Sequence, residues 1–170
     1  MFLEYTLNKK SDFGSIEVIC GSMFSGKTEE LIKRIQKAKL SNFETIVFKP
    51  IIDLRNHGNY ISSHNKNTYE TFTDSDEIDV LNKSIKYQVV GIDEVQFFGL
   101  DMDFRVSPFG PMPNFMASAE FISKLHAICA KTGNMANYTH RKSKDDKRIK
   151  IGHRNEYEAP SRVSFFNKKQ

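Results

Sequence analysis

Ile19-Cys20-Gly21-Ser22-Met23-Phe24-Ser25-Gly26-Lys27-Thr28 is the stretch from which the rest of the chain can be read. From Gly21 to Thr28 it follows the pattern G-x-x-x-x-G-K-[ST]. The spacing has a mechanism. Glycines let the backbone curl until consecutive N–H groups face inward as a nest for anionic oxygens. Lys27 then reaches the outer phosphates of a nucleotide, and the Thr28 hydroxyl can ligate Mg²⁺. The flanks agree with this. Gly14 to Cys20 ends in apolar, β-branched residues and reads as a strand. Leu31, Ile32, Ile35, Ala38 and Leu40 recur at helical spacing, so the loop opens a helix whose positive end points at the phosphates. At average residue usage such a match arises by accident in about one chain per hundred or fewer.

The 170 residues make one ordinary domain with room for a small appendage. Hydrophobic content of 39% is lean, but 14 Phe and 6 Tyr supply bulky core material. The net charge of +4 suits anionic ligands. It does not by itself argue for nucleic acid, because the excess lies mostly in the C-terminal third. The most basic segment, Arg141 to Lys150, mixes in Asp145 and Asp146 and lacks regular aromatic interleaving, so it reads as a solvated loop. Two cysteines, Cys20 and Cys129, give no disulfide framework and fit a reducing compartment. No apolar run approaches membrane-spanning length, and the N-terminus has no signal-peptide core. A soluble, cytoplasmic protein that binds neither membrane nor nucleic acid is expected.

Residues 1–13 read as a disordered leader and 166–170 as a frayed tail. After the first helix, Ser41-Asn42 break the pattern, and Glu44 to Lys49 reads as a second strand ending before Pro50. This β–loop–α–β order opens a parallel α/β sheet. The polar run from Asp53 to Asn67 then lies at a strand's C-terminal side, where such sheets place ligand sites. Thr68 to Phe72 suggests a short strand and Ser75 to Ser84 a short helix. Tyr87 to Glu94 is an apolar strand ending in two acids, Asp93 and Glu94. Downstream of a phosphate loop, the first acid holds Mg²⁺ and its neighbour can take a proton from a nucleophile. The plainer alternative is that the acids cap the next helix. Pro108 to Pro113 is a turn, and Asn114 to Leu125 is expected to be one helix with an apolar face at 115, 118 or 119, 122 and 125. Ala136 to Arg141 and Arg148 to Ile151 read as a small hairpin appendage.

Taken together, the motifs resemble the thymidine kinases of the type shared by the human cytosolic enzyme and most bacteria. The likeness is carried by Gly21 to Leu31, Lys49-Pro50-Ile51-Ile52-Asp53-Leu54-Arg55, Ser62 to Asn65, Ile92-Asp93-Glu94-Val95-Gln96-Phe97-Phe98, Gly99 to Arg105 and Pro108 to Pro113. Tyr138-Thr139-His140-Arg141 and Tyr157-Glu158-Ala159 continue it. The resemblance implies a P-loop NTPase-like, mostly parallel sheet with flanking helices, a kinase domain over 14–128 and a small lasso, a degenerate zinc-ribbon-like appendage, over 129–165. It also implies ATP-dependent phosphorylation of deoxythymidine at the 5′-hydroxyl, a homotetramer and end-product inhibition.

Carried onto this chain, ATP's phosphates would sit on Gly21, Ser22, Met23, Phe24, Ser25, Gly26, Lys27 and Thr28, with Mg²⁺ near Thr28 and Asp93. Gln96 would join the nucleotide site. Glu94 would be the general base and Arg55 would neutralise charge building on the transferred group, beside Lys27. Phe97, Leu100, Phe104 and Phe109 would sandwich the thymine ring, with Thr139, Ile151 and Tyr157 completing the nucleoside pocket.

Two departures stand out. Members of the family hold a structural zinc through two Cys-x-x-Cys-like pairs; here these read Cys129-Ala130-Lys131-Thr132 and Ser161-Arg162-Val163-Ser164, leaving only Cys129. Hydroxyls are poor zinc ligands, so no zinc is expected. Moreover, Gly99 follows Phe98 directly where the family has a helix and a strand, a unit that needs a dozen or more residues. Val106 also stands where a small residue is usual. Two further readings stay open beside the kinase: a catalytically impaired nucleotide-binding remnant, and a phosphate-loop NTPase acting on another partner.

Overall fold

A computed structural model of the chain describes residues 14–50, 60–62, 68–74, 77–93, 101–144 and 154–167. Both expected tails lie almost wholly outside these residues. Two compact units emerge, Met1–Ser15 with Thr28–Gln96, and Ile16–Lys27 with Phe97–Gln170.

In the first unit, helix α1 (Lys27–Leu40) precedes strands β2 (Thr45–Pro50), β3 (Tyr60–Ser62), β4 (Thr68–Glu70) and β5 (Phe72–Asp74), then helix α2 (Glu77–Ser84) and strand β6 (Val89–Ile92). The sheet runs β5-β2-β6, parallel throughout, with Ile46 opposite Val90 and Phe48 opposite both Ile92 and Phe72. Central β2 buries Ile46, Val47, Phe48 and Lys49, as a parallel strand covered on both sides should. Strands β3 and β4 form a separate antiparallel hairpin.

Helix α1 forms for reasons visible in its sequence. Ile32, Ile35 and Ala38 share a buried face, while Glu29–Lys33 and Glu30–Arg34 pair one turn apart at 3.5 and 2.8 Å. The helix ends at Ser41-Asn42, as the sequence suggests. There Asn42 takes φ 61°, and the Phe43 N–H returns to the Ala38 carbonyl at 3.1 Å. The buried face meets Val47, Ile61, Tyr69 and Val89. A Cβ at Gly91 would lie 3.0 Å from Ile35 Cδ1 and 3.3 Å from both Leu31 Cδ1 and Val47 Cγ2, so the close approach of α1 to β6 depends on glycine.

The second unit contains β1 (Glu17–Gly21), α3 (Met112–Ser118), β7 (Phe121–Leu125), β8 (Ala127–Ile128), β9 (Met135–Ala136), β10 (His140–Arg141), β11 (Tyr157–Glu158) and α4 (Arg162–Phe166). Strand β1 pairs in parallel with β7, from Glu17 opposite Phe121 to Gly21 opposite Leu125. Tyr138 stacks on Phe165 at 4.9 Å between centroids, with Phe166 edge-on to both.

Among the described residues the parallel pairing falls into two small sheets, one in each unit, within a mixed α/β fold. One expectation needs correction here. The helix expected over Asn114–Leu125 stops at Ser118. Ala119 turns extended at ψ 135°, and Phe121–Leu125 alternates between half-buried and exposed with the two-residue period of a strand. A long-range partner decides this. The Glu120 carboxylate accepts the Ile16 N–H at 2.6 Å and the Glu120 N–H returns to the Ile16 carbonyl at 3.1 Å, seating β7 on β1. In the appendage, only the first arm of the expected hairpin, Ala136 to Arg141, falls among the described residues. Met135–Ala136 pairs with Ala127–Ile128, and His140–Arg141 with Tyr157–Glu158; Arg148 to Ile151 lies outside the described residues.

No helix among the described residues is long and apolar enough to cross a membrane.

Candidate functional site

Strand β1 delivers the chain into the glycine-rich turn. Gly21 has φ 144°, and a Cβ there would sit 2.2 Å from the Leu125 carbonyl oxygen, so no other residue fits beside β7. Phe24 and Gly26 follow at φ 65° and 85°. Lys27 folds its ammonium back to donate to the Gly21 and Ser22 carbonyls at 3.1 and 2.9 Å.

The loop is pinned from outside as well. The Ser22 hydroxyl donates to the Ala136 carbonyl at 2.9 Å, and the Met23 N–H donates to Thr139 Oγ1 at 3.2 Å. Phe24 packs on the cluster of Ala127, Cys129 and Ala136. Thr139 is therefore engaged with the loop backbone. Ser25 Oγ is buried with no hydrogen-bond partner, which is costly unless a ligand oxygen completes it. That orphan hydroxyl and the positive-φ glycines fit a phosphate group.

Next in the chain, in the first unit, the Thr28 hydroxyl donates to both carboxylate oxygens of Asp93, at 3.2 and 3.3 Å. Asp93 directly follows β6; its own N–H is held by the Phe48 carbonyl at 2.9 Å, and it is only 8% exposed. A hydroxyl and a carboxylate facing each other are oxygen donors of the kind Mg²⁺ takes, with phosphate and water filling its other positions. Thr28 and Asp93, separated by most of the first unit's sequence, are thereby brought together.

Of the residues expected at the nucleoside, Phe109 is buried and Phe104 half-buried. Phe104 rides on a turn organised by Asp103, whose Oδ1 accepts the Arg105 and Ser107 N–H groups at 2.9 and 3.0 Å. Tyr157 is buried, and its hydroxyl accepts from Arg141 Nη2 at 3.1 Å. Glu94, Arg55, Gln96, Phe97, Leu100 and Ile151 lie outside the described residues.

Two residues carry more than their sequence position suggested. Arg141, read as the start of a solvated basic loop, is 5% exposed, with its guanidinium 4.0 Å from the Phe104 ring centroid. The sequence did offer a signal: Arg141 closes the Tyr138-Thr139-His140-Arg141 motif rather than opening the lysine run. Asp103 offers a fainter signal, its place in Asp101-Met102-Asp103 just ahead of a turn.

The four positions of the expected lost zinc site do converge. Thr132 Oγ1 donates to Ser161 Oγ at 3.0 Å, and Ser161 caps α4 by accepting the Ser164 N–H at 3.4 Å. Hydrogen bonds from the Thr132 side chain and from the backbone near Ser161 bring the Cys129 thiol down to about 6. One thiol among hydroxyls does not match the thiolate and imidazole set that zinc requires. Among the described residues no group of three or more His, Cys, Asp and Glu could hold a metal ion. Cys20, by contrast, has its thiol pushed up by burial and then by the Asp101 carboxylate.

The family model described as thymidine kinase matches residues 14–99 and 98–165, two segments that meet at Phe98 and Gly99. A thymidine kinase of Porphyromonas gingivalis is 41% identical over 173 residues, covering 89% of this chain and 85% of the relative. One from Bacteroides thetaiotaomicron is 40% identical over 186 residues, covering 97% and 94%. Another, from Bdellovibrio bacteriovorus, is 40% identical over 176 residues, covering 89% and 85%. Since the 186-residue alignment takes in 97% of a 170-residue chain, about 20 of its positions fall opposite gaps in this chain.

Proposed function

Because this chain belongs to the thymidine kinase family, and so to the kinases among the transferases, we propose that it moves the γ-phosphoryl group of ATP onto the 5′-hydroxyl of deoxythymidine, giving dTMP in nucleoside salvage. The observation that carries this reading is the Thr28–Asp93 pair at 3.2 Å, a hydroxyl and a carboxylate joined across the sequence where a phosphate loop and the acid after an apolar strand should meet.

In this reading Gly21 to Thr28 cradle the phosphates and the Ser25 hydroxyl gains its missing partner. Bound Mg²⁺, held through Thr28 and Asp93, would supply charge neutralisation at the phosphate oxygens. Lys27 leaves the Gly21 and Ser22 carbonyls for the outer phosphates, an exchange of neutral acceptors for anionic ones that favours the loaded state. Glu94 accepts the proton of the 5′-hydroxyl, and Arg55 meets the charge on the transferred group. Phe97, Leu100, Phe104 and Phe109 enclose the thymine ring, and Tyr157 closes the pocket. Gln96 and Ile151 complete the nucleotide and nucleoside contacts. The reading extends to a cytoplasmic homotetramer whose 129–165 lasso holds no zinc.

A second reading is favoured by one finding, the roughly 20 positions that the Bacteroides relative has and this chain lacks. They correspond in number to a helix and strand, whose loss would leave a nucleotide-binding remnant. A coupled assay with purified protein, ATP, Mg²⁺ and thymidine separates the two. We expect turnover in the wild type that Lys27→Ala and Glu94→Ala each reduce by at least about 10²-fold. Nucleoside binding without turnover would establish the remnant.

A further inference from the structure

We propose that Arg141 is the positioning residue of the nucleobase slot, its buried guanidinium locking Phe104 and Tyr157 into one rigid wall for the pyrimidine ring. This rests on the reading above that Phe104 and Tyr157 face the nucleoside. Three segments distant in sequence converge on the one group. The guanidinium carbon lies 4.0 Å from the Phe104 ring centroid and 5.5 Å from that of Tyr157. Nη2 donates to the Tyr157 hydroxyl at 3.1 Å, and in the β10–β11 ladder Arg141 stands directly opposite Tyr157. Phe104 arrives on the turn that Asp103 fixes through the Arg105 and Ser107 N–H groups.

A buried cation is an expensive packing element, since its desolvation must be offset by its partners. Its partners here include two aromatic rings and a phenol oxygen, and cation–π attraction strengthens once the cation is desolvated. Arginine suits the place because its planar fork stacks on a ring and donates in its own plane at the same time; a lysine ammonium can do one or the other. Arg141 and Tyr157 are buried while Phe104 is half-buried, so Phe104 is the member of the trio with surface left to give to a ligand. Arg141 then acts on the nucleoside only through the rings. A wall of this kind holds the base equally in ground and transition states, so loosening it raises KM and spares kcat.

The test is steady-state kinetics of the purified full-length chain for thymidine and for ATP, with thermal unfolding of each variant. For Arg141→Lys we expect KM for thymidine to rise about tenfold, with KM for ATP within about twofold and kcat within about threefold. Tyr157→Phe, which deletes only the acceptor oxygen, should raise KM for thymidine about threefold. The double variant should resemble Arg141→Lys, because the hydroxyl works through the guanidinium. An unchanged KM for thymidine in Arg141→Lys would overturn the proposal. So would thymidine KM, ATP KM and melting temperature all shifting together, the mark of a structural prop. Should Arg141→Lys not fold, Tyr157→Phe decides alone, and an unchanged thymidine KM there sinks the idea. A wild type that neither binds nor phosphorylates thymidine would refute the kinase reading itself, before any variant is compared.

Discussion

Val106 shows at a single position what the sequence could only mark as odd. It takes φ 70°, left-handed backbone that a β-branched residue adopts at a cost of about 1–2 kcal/mol, because the turn closed by Asp103 N–H to Ser107 carbonyl at 2.8 Å demands it. Val106→Gly should therefore stabilise the protein by about 1 kcal/mol despite glycine's larger unfolded entropy, raising the melting temperature by about 2–4 °C. A lower melting temperature would show that the valine side chain contributes more packing than the strain removes. Cys129 gives a pH-dependent counterpart. Its thiol lies at about 6 in the fold against 9.0 unperturbed, so the thiolate's contribution is full above about pH 9 and is lost as pH falls through about 6. The stability difference between wild type and Cys129→Ser should accordingly grow from pH 6 to pH 9 in denaturant titrations; a difference independent of pH would refute the assignment. At this scale the sequence was readable where chemistry is local. Gly21, Gly26, Lys27 and Thr28 announce themselves by fixed offsets. Arg141 does not, because its partners Phe104 and Tyr157 come from remote segments and nothing nearby distinguishes it from the exposed basic residues after it.

Among the elements, α1 was legible because its apolar residues repeat every three or four positions and Glu–Lys and Glu–Arg pairs line the other side. The stretch 112–125 was not. Phe115, Ile122 and Leu125 satisfy helical spacing, while Phe121, Ser123 and Leu125 equally satisfy a strand. The choice falls to β1, a partner more than a hundred residues earlier that no local window contains. Gly91 tests how tightly the elements interlock. With only 3.0 Å to Ile35 Cδ1, Gly91→Ala should cost about 1–3 kcal/mol by pushing α1 off β6, and Gly91→Val more. Melting curves for the pair check the ordering; a neutral Gly91→Val would mean the helix is not seated as described.

For the molecule as a whole, the family and its α/β class were legible, since a chain of short motifs in fixed order survives the loss of intervening residues. The division into two units was not, because it depends on which strands pair and not on which segments are strands. Metal dependence follows from donor chemistry. Removing Mg²⁺ should abolish phosphoryl transfer, whereas a zinc chelator should leave the melting temperature unmoved, as the three positions beside Cys129 at the site, Thr132, Ser161 and Ser164, carry hydroxyls. A fall of several degrees on chelation would reveal a bound ion.

The pairing of β1 with β7, and the tethering of Ser22 and Met23 to Ala136 and Thr139, have a consequence for biosynthesis. The glycine-rich turn is translated early, yet its tethers to Ala136 and Thr139 cannot form until the ribosome has released residues beyond Thr139. Throughout that interval the nascent chain carries an apolar, unpaired strand edge. Truncation just before β7 should consequently yield a product that cannot retain a nucleotide, although every residue of the G-x-x-x-x-G-K-[ST] signature is present in it.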